Sequence, residues 1–484
     1  MNRTAGYSPA YPAALLVHGM TFVFAALHFL SITWPSGMAA TFYAALFAWV
    51  LVLVWHERST LISVGWFDLF FMVFFLLVLA SLLFKPGPAV GTDKFARYLP
   101  FMVAIPYLCG RLLRGSDIAR LVLVILCAGI LMLPLALLDH IFWPGRIGPR
   151  WPFFGQDHGP LLIGAILTST MIAACVYRQD ERRKNWAAGE IARYALLSVL
   201  SGFLVWVAAR GWLLAALAGI VVLILTAFNH KRRLWAYVSY LVVVLVTASL
   251  SLAFLPRPTG QFYVGLLNAP LSVSGPEHPV VKHPSAGGGS GQAGQEPSTV
   301  DGGSGQAGQN SSTLERDLPN GPLLGKASCK PIEEGKSSVA IRLVFYQEAM
   351  AMFERFPLLG VGAARFGAWS CAGIQGFPHS TVMQGFAELG LLGGGMFAGL
   401  LSVSLWVLAR RFVLEPRRQA SATNSFIVPW FIALILADQI YGNYFMSLGT
   451  YLMLGLAART IAERGAVHAA NIDKASVPEQ LVRF

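Results

Sequence analysis

The stretch GFPHSTVMQGFAELGLLGGG, residues 376–395, places one histidine directly before an apolar, glycine-rich segment. Pro378 and Ser380 flank His379, and both residue types are common where helices begin. The stretch therefore predicts a membrane helix that starts beside an imidazole. Whether His379 is an ordinary interfacial side chain or the centre of a reaction depends on what the rest of the chain brings near it.

The composition indicates a polytopic membrane protein with an all-α fold. The chain has 484 residues, of which 55% are apolar and 12% charged, and its mean hydropathy is +0.59. A soluble protein of this length carries about a quarter charged residues. Apolar runs near the roughly 20 residues that cross a bilayer recur along the chain. They predict twelve spans, at 11–34, 38–55, 61–84, 97–113, 118–138, 159–177, 194–210, 212–228, 235–256, 379–409, 426–442 and 444–460.

The net charge of +12 is interpreted as a topology signal rather than as a nucleic-acid-binding surface. Lys and Arg gather in the short loops 111–120, 178–186, 229–233 and 410–418, which fall on one side of the membrane when the spans alternate. The positive-inside rule makes that side cytoplasmic. Both termini then lie there, including a short tail at 461–484.

One large loop at 257–378 separates the nine spans of residues 1–256 from the three spans of residues 379–460, and this topology makes it periplasmic. Part of the loop, 286–315, is of low complexity and contains a 14-residue tandem repeat at 288–301 and 302–315. A segment rich in Gly, Ser and Gln buries too little apolar surface to offset its ordering entropy. We interpret it as a flexible insertion; the alternative is a binding arm for sugar or cell wall.

The end of the loop regains a structured pattern. Residues 337–357 predict a periplasmic helix that Pro357 ends, with Arg342, Tyr346, Ala349 and Phe353 on one face. A glycine-rich connection then leads to His379. Cys329 and Cys371 both lie in the loop and are predicted to form a disulfide if this side is oxidising.

Three side chains with catalytic potential lie on the outer side of this topology. Arg210 occupies the tight turn between the seventh and eighth spans, where it either snorkels to headgroups or binds a phosphate. Arg342 is either a solvated charge or a second phosphate ligand. His379 is either a lone interfacial histidine or a general base, since a helix N-terminus and nearby arginines both favour the neutral imidazole that a base needs.

Four further residues are candidates for substrate binding. Arg146 and Arg150 lie among aromatic residues in the outer loop 139–158, which suits either an interfacial belt or a sugar diphosphate. Arg365 lies in the glycine-rich connection. Glu388 either hydrogen-bonds to a neighbour or holds a substrate hydroxyl, and the sequence does not choose between these roles.

The glycines that follow Glu388 are spaced for helix packing. Gly390 and Gly394, then Gly395 and Gly399, form two successive G-x-x-x-G patterns. Such patterns allow close helix contact in lipid, and we expect that role here.

These motifs resemble the bacterial O-antigen ligase and polymerase superfamily. The ligase motif of that family is His, then Asn, Ser or Gln, nine residues, Gly, two residues, and Gly, Thr or Tyr. His379 and Ser380, followed by TVMQGFAEL, Gly390, LL and Gly393, fit it at every fixed position. The segment 342–366 is similar to the segment of the family that leads from a key arginine into a glycine-rich connection. ARGW, 209–212, is similar to the outer-turn arginine motif.

The resemblance implies a GT-C-like inner-membrane glycosyltransferase that needs no metal or other cofactor. Its donor is a glycan on undecaprenyl diphosphate, and a ligase moves that glycan to a sugar hydroxyl of lipid A–core. In this interpretation Arg210 and Arg342 bind the diphosphate and His379 deprotonates the acceptor, with inversion at the anomeric carbon.

Two alternatives stay open at this point. A polymerase would use another lipid-linked repeat unit as acceptor, and the sequence barely separates it from a ligase. A transporter would place ionisable residues at mid-membrane. Besides Glu388, Asp68 and Asp438 are the only notable acids inside the predicted spans, and no internal repeat of the spans is visible.

Overall fold

The computed structural model describes residues 64–84, 99, 103–113, 118–142, 159–177, 186–206, 210–228, 230–254, 338–370, 378–414, 425–440 and 447–476. Every regular element in these ranges is helical. The helices are α1 (Trp66–Phe84), α2 (Ile105–Leu112), α3 (Ile118–Phe142), α4 (Gly159–Val176), α5 (Trp186–Trp206), α6 (Arg210–Thr226), α7 (Lys231–Phe254), α8 (Ser338–Arg355), α9 (Phe366–Trp369), α10 (Thr381–Ala409, followed by a π-helical turn at Arg410–Leu414), α11 (Ile427–Ile440) and α12 (Leu448–Ser476). The first two predicted spans and the tandem repeat lie outside the described residues.

The described helices are those of an integral membrane protein. Four segments are long and apolar enough to cross a bilayer, namely Trp66–Phe84, Ala187–Trp206, Lys231–Phe254 and Thr381–Leu414. Four shorter apolar helices accompany them, at Ile118–Pro134, Gly164–Val176, Gly211–Thr226 and Ile427–Ile440. The predicted all-helical class is therefore confirmed, while the count of twelve spans stays a prediction.

The tightest crossing in the described bundle joins α2 to α12 through two glycines. A Cβ added to Gly110 would lie 1.9 Å from the carbonyl oxygen of Leu452, and one added to Gly455 would lie 1.9 Å from the carbonyl oxygen of Tyr107. Only glycine permits such an approach of two helix backbones. This contact holds α12 against the rest of the core.

Asp68, one of the two acids named for the transporter alternative, lies near a helix start. Asp68 is in the first turn of α1, where its carboxylate accepts the Gly65 backbone N–H at 2.8 Å. It pairs with Arg111 Nε at 2.8 Å and accepts the Tyr107 hydroxyl at 2.8 Å. A carboxylate paired in this way stabilises the junction of α1 and α2.

Helix α5 begins at Trp186, eight residues before the predicted span at 194–210. Its first turns contain two charges, Glu190, which is partly buried, and Arg193, which is buried against neighbouring helices. Arg193 Nη1 lies 2.6 Å from Glu190 Oε1 and donates to the Tyr240 hydroxyl of α7, while its Nη2 donates to the Tyr177 carbonyl at 2.6 Å. Because each charge has a partner of opposite sign or a hydrogen-bond acceptor, the helix continues through them.

Helix α12 continues past the predicted end of the twelfth span at residue 460. It extends to Ser476, through most of the segment expected to be a tail. Arg459 and Glu463 form an i,i+4 ion pair at 2.8 Å across that predicted end. Such a pair supports the helix on both sides of it.

Candidate functional site

Helix α10 is broken at Gly390, although its predicted span at 379–409 was a single helix. Gly390 has φ 64° and ψ −160°, a conformation outside the helical region. A Cβ at this position would lie 2.4 Å from the carbonyl carbon of Leu358, so no other residue fits. The first half, 381–389, and the second half, 391–409, are therefore separate helices joined at one glycine.

The glycine-rich connection after α8 supplies the hydrogen bonds that the break removes. The carbonyls of Ala387 and Glu388 accept the backbone N–H groups of Val361 and Gly362, at 2.9 and 2.8 Å. On the other side of the break, Leu391 N–H donates to the Pro357 carbonyl at 2.7 Å. Backbone that is not helical is tolerated in a membrane protein when its polar groups are satisfied in this way.

The G-x-x-x-G glycines serve this break more than the packing of separate helices. A Cβ on Gly394 would lie 2.7 Å from the backbone nitrogen of Phe386, so the second half of α10 packs against its own first half. By contrast, Cβ atoms on Gly395 and Gly399 would make ordinary contacts of 3.7 Å with Leu391 and Phe70. The expected close contact is therefore present, but it joins the two halves of α10.

Glu388 fixes the connection to the first half of α10. Its side chain is buried, and its two oxygens accept the backbone N–H groups of Ala364 and Phe366 at 2.9 and 3.1 Å and the Gln384 amide at 3.3 Å. The carboxylate also acts electrostatically on Arg365, which is buried nearby. These contacts correspond to the first of the two roles considered for Glu388, a hydrogen bond to neighbours; substrate binding by Glu388 and Arg365 stays a prediction.

Helix α8 packs over the first half of α10 through a small apolar cluster. Its members are buried side chains from α8, the connection, α9 and α10: Phe345, Ala349, Met352, Val361, Phe366 and Ala387. Phe353 and Phe386 add an edge-on aromatic contact with ring centroids 5.4 Å apart. The cluster therefore fixes α8, which carries Arg342, to the helix that follows His379.

His379 lies in a strained backbone position directly before the N-cap of α10. Its φ is 54°, in the left-handed region that favours glycine. Ser380 caps the helix by accepting the Met383 N–H at 3.3 Å. The imidazole is partly buried, with its ring centroid 6.0 Å from that of Phe345. A strained residue held by its surroundings is typical of functional sites.

The imidazole of His379 is neutral at physiological pH. Burial, followed by the positive charge of Arg342, lowers the pKa of His379 from 6.5 to about 4. Both effects have the same direction, because burial penalises the charged form and a nearby cation repels it. The sequence predicted a neutral histidine near an arginine, and Arg342 and His379 do lie within electrostatic reach of each other.

A residue that the sequence analysis did not select connects these elements. Gln439, near the end of α11, accepts the Ser380 hydroxyl at 2.7 Å and donates from Nε2 to Thr381 Oγ1 at 2.8 Å. Its backbone carbonyl accepts the Tyr346 hydroxyl of α8 at 3.3 Å. The available signal was the pair Asp438–Gln439, two polar residues at the end of an otherwise apolar span.

The remaining candidates are placed only in part. Arg210 is the first residue of α6, and its side chain is outside the described set. The same holds for Arg146, Arg150, Cys329 and Cys371, which fall in ranges that the structure does not describe. The described residues therefore bring together Arg342, His379, the connection that contains Arg365, and Glu388 in the first half of α10.

A comparison with protein families identifies the region that contains this site. The model of the O-antigen ligase family matches residues 195–398, from α5 to just beyond the break in α10. The match includes Arg210, Arg342 and His379. A comparison with curated proteins gives no match. Residues 195–398 are therefore similar to the O-antigen ligase family, which supports an O-antigen ligase-like membrane glycosyltransferase in general terms.

Proposed function

We propose that the protein transfers a glycan from undecaprenyl diphosphate to a sugar hydroxyl of lipid A–core, at the periplasmic face of the bacterial inner membrane. The observation that carries this proposal is the neutral, partly buried His379 beside the cationic Arg342. A base and a cation suffice for glycosyl transfer when the leaving group is a diphosphate, and this pair supplies both. The pair does not need to carry out acyl or phosphoryl transfer.

In the proposed reaction, His379 accepts the proton of the acceptor hydroxyl. The oxygen attacks the anomeric carbon of the donor glycan as the bond from that carbon to the diphosphate oxygen breaks. The electron pair of that bond leaves on undecaprenyl diphosphate, and attack from the opposite side inverts the anomeric configuration. The proton on His379 then passes to solvent or to the departing diphosphate.

Arg342 and Arg210 bind the diphosphate and stabilise the charge that grows on it. A guanidinium suits this task because its planar fork binds phosphate oxygens in pairs and does not deprotonate. Burial is the larger cause of the low pKa of His379 and the charge of Arg342 the smaller. The arrival of the diphosphate offsets the charge of Arg342 and so raises the pKa of the imidazole above about 4. The donor thus makes His379 a stronger base when the acceptor is to be deprotonated.

The packing of α6 supports the inclusion of Arg210. A Cβ on Gly219 would lie 3.2 Å from the Pro429 carbonyl, so α6 and α11 cross there. Alternating spans make these helices antiparallel. Arg210 precedes the crossing by nine residues and Gln439 follows it by ten, so both lie about 14 Å from it on the same side. Gln439 contacts the residue after His379, which supports a position of the start of α6 at the level of the site.

The proposal includes the finer features of the predicted architecture. These are twelve spans in a GT-C-like arrangement, a periplasmic location for loop 257–378, a Cys329–Cys371 disulfide within that loop, and donor contacts from Arg146 and Arg150. Alkylation by a membrane-impermeant thiol reagent, with and without prior reduction, tests the disulfide and the location of the loop together.

Reconstitution in liposomes with a lipid-linked oligosaccharide and lipid A–core tests the function. We expect the wild-type protein to form the glycan–lipid A product and the His379→Ala and Arg210→Ala variants to form none while still inserting and folding. Ser169→Ala is a matched control, since it removes a buried hydroxyl that accepts Trp430 Nε1 at 2.9 Å away from the site. Full activity in either variant removes that residue from the mechanism, and a ladder of longer lipid-linked glycans without lipid A–core would identify a polymerase.

A further inference from the structure

The contacts of Gln439 link the two elements that carry the proposed catalytic pair. We infer that Gln439 is a positioning residue that holds His379 and Arg342 in their mutual arrangement, an inference that rests on the proposed function. It touches neither the donor nor the acceptor in this account. It acts through Ser380, Thr381 and Tyr346.

The direction of the His379 side chain depends on how the start of α10 is held. His379 has a left-handed backbone conformation that is unfavourable for a residue with a Cβ, and the contact within α10 that caps this turn, from Met383 N–H to Ser380 Oγ, is long at 3.3 Å. An additional restraint from outside the helix is therefore needed. The Gln439 carboxamide supplies it at the two residues that follow His379.

A carboxamide is well suited to this restraint because it accepts and donates at once. Gln439 Oε1 accepts from Ser380 Oγ at 2.7 Å and lies 3.4 Å from Val382 N, while Nε2 donates to Thr381 Oγ1 at 2.8 Å. Both hydroxyl groups belong to buried side chains. An apolar side chain of the same length would leave them without these partners, at a cost typical of buried polar groups.

The same residue also fixes the helix that carries the cation. Tyr346 follows Arg342 by one turn of α8, and its hydroxyl donates to the Gln439 carbonyl at 3.3 Å. The end of α11 therefore contacts α8 with its backbone and α10 with its side chain. A displacement of this end changes the separation of Arg342 and His379, and a misplacement of about 1 Å is enough to slow a reaction about 100-fold.

The effect of a charge introduced at position 439 depends on the charged groups that already surround His379. Arg342 faces it from α8; Arg365 and Glu388 pair electrostatically in the connection and α10. Asp438 on α11 accepts the Thr450 hydroxyl of α12. A carboxylate introduced at position 439 would be an added negative charge close to the imidazole.

The test measures His379 directly as well as the reaction. The rate at which diethyl pyrocarbonate modifies His379, followed by peptide mass spectrometry across pH, reports the pKa and exposure of this imidazole without requiring activity. Transfer kinetics and donor-binding stoichiometry are measured on the same preparations of the full chain in liposomes. The variants are Gln439→Leu, which removes the polar contacts, and Gln439→Glu, which keeps an acceptor and adds a charge, with Ser169→Ala on the face of α4 next to α11 as control.

We expect diethyl pyrocarbonate to modify His379 faster in Gln439→Leu than in the wild type, with the pH midpoint of the modification shifted from about 4 toward 6.5. We expect the same variant to lower kcat about 10- to 100-fold. Its KM for the donor and its donor-binding stoichiometry should stay unchanged. Gln439→Glu should retain more of kcat and raise the midpoint through its charge. If Gln439 had only a structural role, the variants would bind less donor per protein molecule, and the pH midpoint of His379 modification would be that of the wild type in both. Wild-type reactivity and kcat in Gln439→Leu would overturn the inference. A different outcome would be that Gln439→Leu changes the reactivity of His379 while the wild-type protein transfers no glycan. That outcome would contradict the proposed function but not the positioning role of Gln439.

Discussion

Two partly buried polar clusters in this bundle contain charges in opposite arrangements. Where α5 meets α7, Arg193 lies against the carboxylate of Glu190 and both contact Tyr240, on helices without a break. At the start of α10, Arg342 acts on a histidine, so the two groups repel each other whenever the imidazole is protonated. The first cluster joins unlike charges and stabilises the fold. The second keeps an imidazole neutral beside a cation, on a strained backbone at the start of a broken helix. The proposed reaction would use this arrangement to bind an anion and move a proton.

Of the changes that separate the two clusters, replacing the cation of the second should give the largest effect on activity. We expect Arg342→Leu to lower kcat/KM about 10²- to 10³-fold, because an electrostatic contact to the growing diphosphate charge is lost. Thermal stability should change little, since the apolar cluster under α8 is intact. Steady-state transfer kinetics and a melting curve in the same detergent measure both quantities. A large loss of stability with normal specific activity would show that Arg342 belongs with the structural clusters.

Replacing the cation of the first cluster should have the opposite result. Arg193→Leu leaves the partly buried Glu190 without its charge partner, which we expect to cost about 1–3 kcal/mol of stability. Activity per folded molecule should stay near that of the wild type. The double variant Arg193→Leu/Glu190→Gln should recover part of the loss, because the uncompensated charge is gone. Equal stability of Arg193→Leu and the wild type would contradict the distinction between the clusters.

Two neighbouring glycines test the broken helix. Gly390→Ala places a Cβ 2.4 Å from the Leu358 carbonyl carbon in a left-handed conformation, whereas Gly395→Ala places one 3.7 Å from the Leu391 side chain. We expect the first change to cost about 2 kcal/mol or more through strain and to lower activity, and the second to be tolerated. Melting temperatures and transfer rates of the two variants give the answer. Equal tolerance would mean that α10 is continuous in the working protein.

The pH dependence of glycan transfer is a test, with a smaller expected effect, of whether His379 in the second cluster is neutral. The active imidazole is neutral, and the pKa of His379 is about 4 in the free protein. The value of kcat/KM for the donor, which reports the free protein, should be flat from pH 8 to about pH 5 and fall below that. The fall in kcat should come at higher pH, because bound diphosphate raises the pKa. Stability should also decrease as the pH falls from 6.5 toward 4, since the unfolded chain then binds a proton that folded His379 does not. Identical midpoints for the two kinetic parameters would argue against contact between the diphosphate and His379.

The sequence was informative where the structure depends on local chemistry. A capped helix start was predicted from Pro378, His379 and Ser380, and the structure has Ser380 as the N-cap. The family motif that begins at His379 lies inside the region that the family comparison matches. The helical spacing of Arg342 and Tyr346 indicated a common face. In the structure Arg342 acts electrostatically on His379 before α10, and Tyr346 donates to the Gln439 carbonyl at the end of α11.

The sequence was silent where the structure depends on contacts distant along the chain. The break at Gly390 is invisible in an apolar run, because it exists only when the connection at 357–362 supplies backbone partners. Gln439 lies 59 residues from Ser380, so no local pattern pairs them. The early start of α5 was missed for the same reason, since the partner that makes Arg193 acceptable inside a helix is Tyr240, 47 residues away.

The most direct test of the account is a single-turnover measurement at pH 7 on protein already loaded with the lipid-linked donor. Wild type and His379→Gln are mixed with lipid A–core, and donor binding is quantified in the same samples. The account predicts that His379→Gln binds the donor as tightly as the wild type but transfers the glycan about 10³-fold more slowly. Transfer at the wild-type rate by His379→Gln would contradict it.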